Sequence, residues 1–104
     1  MNLTKNEQRV LQLIPSGADK IITRREISNI TGFPLRRIDE TISRLIINYH
    51  IPIVSDRQRG YYIATTEQER ARGMSGFNNQ IKYMQKRAQA VFESDLNNWK
   101  KEVL

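Results

Sequence analysis

Residues 23–49, TRREISNITGFPLRRIDETISRLIINY, decide how the rest of the chain is parsed. Thr23 and Glu26 form a Thr-x-x-Glu capping box. The hydroxyl takes a backbone N–H one turn in, and the carboxylate reaches back to the cap residue. Ile22 before the cap and Ile27 at the fourth helical position add a hydrophobic staple. A short helix is therefore predicted over about Arg24–Ile30, burying Ile27 and Ile30. Thr31-Gly32-Phe33-Pro34 breaks it, and Pro34 suits the first turn of a second helix, where its missing N–H costs nothing. There Ile38, Ile42, Leu45 and Tyr49 recur at four, three and four residues, one apolar stripe of a 3.6-residue helix. The opposite face carries Arg36, Glu40, Ser43, Arg44 and Ile47, with Arg37 at its margin.

Upstream, a second box (Thr4–Glu7) opens a helix over Lys5–Leu13, with Val10, Leu11 and Ile14 on one side. Pro15-Ser16-Gly17 stops it. Ile21-Ile22 is a short extended piece leading into the Thr23 cap. Downstream the period changes to two. Ile51–Ser55 and Tyr61–Thr65 read as the arms of a β-hairpin around Asp56-Arg57-Gln58-Arg59-Gly60, with Gly60 supplying a positive φ at the turn. A third box, Thr66–Glu69, restarts helix, which is expected to be interrupted near Gly73 and Gly76. One long helix of ~40 Å then runs from about Phe77 to the end.

Composition narrows the function classes. The chain has 104 residues, 17 Lys and Arg against 11 Asp and Glu, one His and no Cys. Disulfides, a thiolate nucleophile and a Cys-based zinc site are excluded. No stretch approaches the ~18 apolar residues of a membrane span, and residues 1–5 lack the apolar core of a signal peptide. The expectation is a cytoplasmic protein. A net charge of +6 favours a polyanionic partner. Residues 1–65 hold ten Lys and Arg against six Asp and Glu, net +4, and residues 66–104 hold seven against five, net +2.

The order of helix, short strand, helix, tight turn, helix and hairpin resembles the winged helix-turn-helix arrangement. Two stretches carry the likeness: Thr23 to Phe33 with Arg36 to Ile42, and Ile51-Pro52-Ile53-Val54-Ser55 closing on Arg59-Gly60-Tyr61-Tyr62-Ile63. They resemble the DNA-binding domain of the biotin-repressor class, and the size is similar to small winged-helix proteins of phages and prophages. The resemblance covers roughly residues 4–65. It departs at Pro34, where many relatives cap with Ser or Thr, and at His50, where they often have Gly. It implies a winged helix-turn-helix over 1–65, mainly α with a small β-hairpin (α+β); outside the resemblance, the residues themselves read as a short helix and linker over 66–76 and an amphipathic helix over 77–104, the expected dimerisation element. If the protein is phage-encoded, its compartment is the host cytoplasm.

The candidate binding residues follow from their positions. Arg24-Arg25 and Arg36-Arg37 fall in first helical turns. Cations there oppose the helix dipole by ~0.3–1 kcal/mol each, and they make sense where an anion visits, because backbone N–H groups and arginines can hold a phosphate together. The bland reading is surface arginine. Arg36, Glu40, Ser43 and Arg44 carry the chemistry that reads base edges in a major groove; the bland reading is a solvated face with an Arg36–Glu40 pair. Arg57, Gln58 and Arg59 at the hairpin tip suit the backbone or minor groove, or simply a soluble tip. Tyr61 and Tyr62 alternate faces, one for the core and one for solvent or a phosphate. His50 has no carboxylate pair near it and reads as a helix-end residue. No catalytic constellation, metal set or cofactor motif is recognisable.

The expected function is sequence-specific binding of double-stranded DNA, as a transcriptional regulator or a phage replication or origin-binding factor. The alternative is a winged-helix protein–protein adaptor that does not read DNA. For the C-terminal helix, folding back, pairing with a second chain and lying on a membrane compete. Glu93, Asp95 and Glu102 interrupt its basic face and argue against the membrane. The expectation is a homodimer through Ile81, Met84, Ala88, Val91, Phe92, Leu96 and Trp99.

Overall fold

A computed structural model describes residues 2–56 and 60–103, with Glu102 by its backbone alone. Arg57, Gln58 and Arg59, the expected hairpin-tip contacts, lie outside the described residues. The chain runs α1 (Lys5–Leu13), β1 (Ile22–Thr23), α2 (Arg24–Thr31), α3 (Leu35–Tyr49), β2 (Ile53–Ser55), β3 (Gly60–Ile63), α4 (Glu67–Glu93) and α5 (Trp99–Val103). It is a mostly helical α+β fold with a small antiparallel sheet.

Both early capping boxes form. Thr4 accepts from the Glu7 N–H and Thr23 from the Glu26 N–H, each at 3.1 Å, and both glutamates return the bond. The third box is rebuilt. Thr66 accepts from the Glu69 N–H at 3.0 Å, but the Glu69 carboxylate reaches past it. Its Oε1 takes the Thr65 N–H and hydroxyl at 2.8 Å each, and its Oε2 takes the Ala18 N–H at 2.7 Å. One carboxylate thus ties the start of α4 to the loop after α1.

The core sits between the first three helices and β2. Val10, Ile14, Ile27, Ile38, Ile42, Leu45 and Ile53 form it, each worth ~1.5–3 kcal/mol relative to exposure. The stripe on α3 is therefore buried as its spacing demands, with Tyr49 at its half-buried end. Ile30 departs from expectation: it is 60% exposed. Only eight residues long, α2 presents a single narrow face to the core, and Ile27 fills it.

The turn between α2 and α3 is closed by side chains. Gly32 ends α2 at φ 77°, the left-handed region that glycine enters without strain. The Thr31 hydroxyl donates to the Ile27 carbonyl and accepts from the Phe33 N–H, while the Ser28 hydroxyl donates to the Phe33 carbonyl at 2.6 Å. Pro34 stands one place earlier than expected. It is the N-cap of α3 rather than a first-turn residue, and no side-chain bond caps the helix. At the other end His50 takes the left-handed cap, φ 55°, and its N–H reaches the Ile46 and Leu45 carbonyls.

The short strand expected before the Thr23 cap pairs with the hairpin, a pairing the sequence pattern did not specify. The order is β1-β3-β2, antiparallel throughout, with Thr23 opposite Gly60 and Val54 opposite Tyr62. Gly60 is required for a different reason from the one its turn position suggests. Its φ is not positive, and a Cβ there would stand 2.5 Å from Ile21 Cδ1. The Ile21 side chain passes so close over the strand that any side chain at this position would force it to move.

Residues 66–76 are not a short helix followed by a linker. Helix α4 runs unbroken through Gly73 and Gly76 and packs on β2. Gly73 is buried against Val54, so closely that a Cβ added there would lie 2.3 Å from Val54 Cβ. Nor does the helix reach the C-terminus. It ends at Glu93, and the Asp95 carboxylate takes the Asn97 and Asn98 N–H groups before α5. Past Gly73, every described side chain of α4 and α5 is exposed. This overhang gives the chain extents of 54 × 32 × 25 Å.

Candidate nucleic-acid interface

The outer face of α3 is the one the periodicity defines. Arg36, Arg37, Glu40, Ser43, Arg44 and Ile47 are all exposed, while Ile38, Ile42 and Leu45 lie buried behind them. Three arginines against one glutamate leave this strip net positive.

Within the strip, the side chains differ in how far they are committed. Arg36 is the freest of the three arginines: its side chain is 91% exposed, with only a 3.2 Å pair to Glu40. Exposed pairs of this spacing are worth ~0.3–0.5 kcal/mol and exchange readily for a better acceptor. Arg37 stacks on Phe33, its guanidinium 5.2 Å from the ring centre, and Arg9 of α1 stacks at 5.0 Å. Phe33 thus gathers cations from α1 and α3 beside the α2–α3 turn.

Arg44 is placed differently from the base-reading role expected of it. Its Nε lies 3.4 Å from Glu7 Oε2, and it donates to the Thr41 hydroxyl at 3.3 Å. The guanidinium turns toward α1, where it neutralises a buried carboxylate. The Thr4 N–H, ahead of the other donors, holds Glu7 below the usual carboxylate range; burial opposes this, and Arg44 and the Thr4 and Tyr49 hydroxyls assist. Burial, then the Glu7 charge, pushes the Tyr49 phenol up. Arg44 therefore completes the α1–α3 packing.

At the start of α2, Arg24 and Arg25 are both exposed. Arg24 pairs with Asp39 of α3 at 2.6 Å, bracing the two helices across their open side. Arg25 makes no ion pair among the described residues. Of the two tyrosines, Tyr62 is core, its hydroxyl donating to the Glu69 carbonyl at 3.2 Å. Tyr61 is half-buried near Arg24 and Asp39, and burial raises its pKa.

A groove of about 940 Å³ adjoins this region. The start of α2 (Thr23, Arg24, Arg25) forms one wall, Ser55, Asp56 and Tyr61 of the sheet contribute another part, and α4 closes it with Arg72, Gly73, Gly76, Phe77 and Gln80. The α4 wall was not foreseen. Its signal was Gly73, since a glycine in a helical stretch marks a close backbone approach as readily as a helix break. Arg72 stands 3.8 Å from Asp56, at the end of β2 next to the hairpin tip.

The chain matches no protein-family model, no curated protein and no solved structure. Among the described residues, no cluster of His, Asp and Glu could hold a metal ion, and no helix is long and apolar enough to cross a membrane. His50 serves as the cap of α3. What the site offers chemically is a row of hydrogen-bond donors, mostly arginine, on two helices joined by a tight turn.

Proposed function

We propose that the chain is a winged helix-turn-helix protein that binds double-stranded DNA sequence-specifically, as a transcriptional regulator or a phage replication or origin-binding factor. The observation that carries the reading is the outer face of α3. It is exposed along its length, its arginine nearest the helix start is almost fully extended into solvent, and it follows directly on the closed α2–α3 turn. Pairing of β1 with β3, and the hairpin that returns beside α3, support the same reading.

In this reading α3 lies in the major groove. Arg36 bonds guanine O6 and N7, Glu40 accepts from cytosine N4, and Ser43 serves either edge. Arg25 and Arg37 neutralise phosphates, with Arg24 bracing α2 against α3. The hairpin tip, with Arg57, Gln58 and Arg59 in its sequence, follows the backbone or enters the minor groove. Arg44, held by Glu7, is left out of base reading.

Selection of bound fragments from random duplex DNA, followed by mobility-shift titration across salt, tests this. About four phosphate contacts per subunit give a slope near −4 in log K against log salt. Arg36→Ala should relax preference at one base position, at a cost of ~1–3 kcal/mol on the best site. Arg25→Ala should weaken all duplexes alike. Failure to bind any duplex in a salt-dependent way overturns the proposal.

A further inference from the structure

From the overhang of α4 we infer that a second copy of this chain packs on it, antiparallel. Gly73 seats α4 on Val54. The apolar stripe Phe77, Ile81, Met84, Ala88 and Val91 continues that same helix face past the edge of the domain, at four- and three-residue steps. Phe77 is 37% exposed, Ile81 55%, Met84 56% and Val91 72%. A face that is buried against the domain at one end is bare along the rest.

Three features select a second copy running in the opposite direction. The first is size. Setting Ile81 against Met84 of the second copy places Phe77 against Ala88 and Met74 against Val91, so that the outer layers set a larger side chain on a smaller one and the two central layers set Ile on Met, with similar total volume in every layer. A parallel pair would set Phe77 on Phe77 and Ala88 on Ala88, with crowding in one layer and a void in another. The second is charge. Asn78, Gln80 and Gln85 flank the stripe, while Lys82 and Lys86 lie on the far side. Arg87 stacks on Tyr83, 5.8 Å from the ring, and falls opposite Gln80 of the second copy. The seam therefore brings no like charges together, which is what self-pairing requires. The third is length. Helix α4 stops at Glu93, opposite the point where the second copy's α4 begins to be docked on its own sheet.

The inference is independent of DNA binding, and its test contains none. Light scattering of the full chain at about 100 μM should give twice the 12.2 kDa chain mass. Ile81→Asp should give the monomer mass, with a thermal transition equal to that of the wild-type chain diluted until it is monomeric. Because the chain lacks cysteine, single substitutions report orientation. A mixture of Phe77→Cys and Ala88→Cys chains should oxidise to a covalent dimer at least tenfold faster than Phe77→Cys alone. Met74→Cys mixed with Val91→Cys repeats the test without touching Phe77. A wild-type monomer, a mass above the dimer, or faster cross-linking of the single variants than of the mixtures overturns the inference.

Discussion

Two stripes of apolar residues with the same helical spacing meet opposite fates in this chain. On α3, Ile38, Ile42 and Leu45 are at most 4% exposed; on α4, Ile81, Met84 and Val91 are more than half exposed. Periodicity defines a face, but burial depends on whether the chain folds something against it. In the first 65 residues two other helices and a sheet are close in sequence and cover α3. Beyond Gly73 every described side chain of the helix is left exposed. On the inference drawn above, the surface on α4 answers to concentration, whereas the surface on α3 answers to unfolding.

Paired substitutions separate the two regimes. Ile38→Ala removes a fully buried side chain and should cost ~2–5 kcal/mol in urea unfolding. Ile81→Ala at a concentration where the chain is monomeric should cost within ~0.5 kcal/mol. A large effect of Ile81→Ala on the dilute protein would break the comparison, since it would show the overhang to be part of the folded unit.

The boundary between the regimes is tested by two glycines three residues apart. At Gly73 an added Cβ meets Val54 at 2.3 Å, whereas at Gly76 nothing lies within 4 Å. Gly73→Ala should therefore destabilise by ~1–3 kcal/mol through overpacking. Gly76→Ala should stabilise by ~0.5–1 kcal/mol, the ordinary gain of alanine over glycine inside a helix. Thermal melting of the two variants, shifted in opposite directions, would locate the edge of the domain between them.

The smallest expected effect is on acid stability. Glu7 and Glu69 are both held below the ordinary carboxylate range, Glu7 chiefly by the Thr4 N–H and Glu69 chiefly by the Thr65 N–H. A carboxylate whose folded pKa is depressed adds stability above its unfolded value, about 4.3 for Glu. That stability is lost as pH falls through the lower folded value. Unfolding free energy should thus decline below about pH 4.5, and Glu7→Gln with Glu69→Gln should flatten the decline. In the overhang the corresponding group is Asp95, held down first by the Asn98 side chain. Its protonation should loosen α5 and leave the domain transition unmoved.

Most of the domain was legible in the sequence because its signals are local. Two capping boxes, the glycine after Thr31 and the α3 stripe each specify structure within a few residues of themselves. What escaped depends on residues far apart. Gly60 reads as a turn glycine until Ile21 lies across it, and Gly73 reads as a break until Val54 lies under it. Glu69 reads as a capping-box residue until Ala18 arrives from 51 residues away. In the candidate site, the exposed face of α3 followed from spacing alone. The commitment of Arg44 to Glu7, 37 residues upstream, did not, because side-chain direction within a face depends on what the neighbouring helix offers.

The way α4 leaves the domain has a mechanical consequence. Clamped over its first turns by Glu69, Tyr62 and the Gly73 seat, and free along some 30 Å of rigid rod beyond, it is a cantilever. A tilt of about one degree at the clamp moves the far end by roughly 0.5 Å at that length. The small residue at the seat and the carboxylate that pins the root thus govern where the tip points, and any object held at the tip inherits its position from two residues near the root.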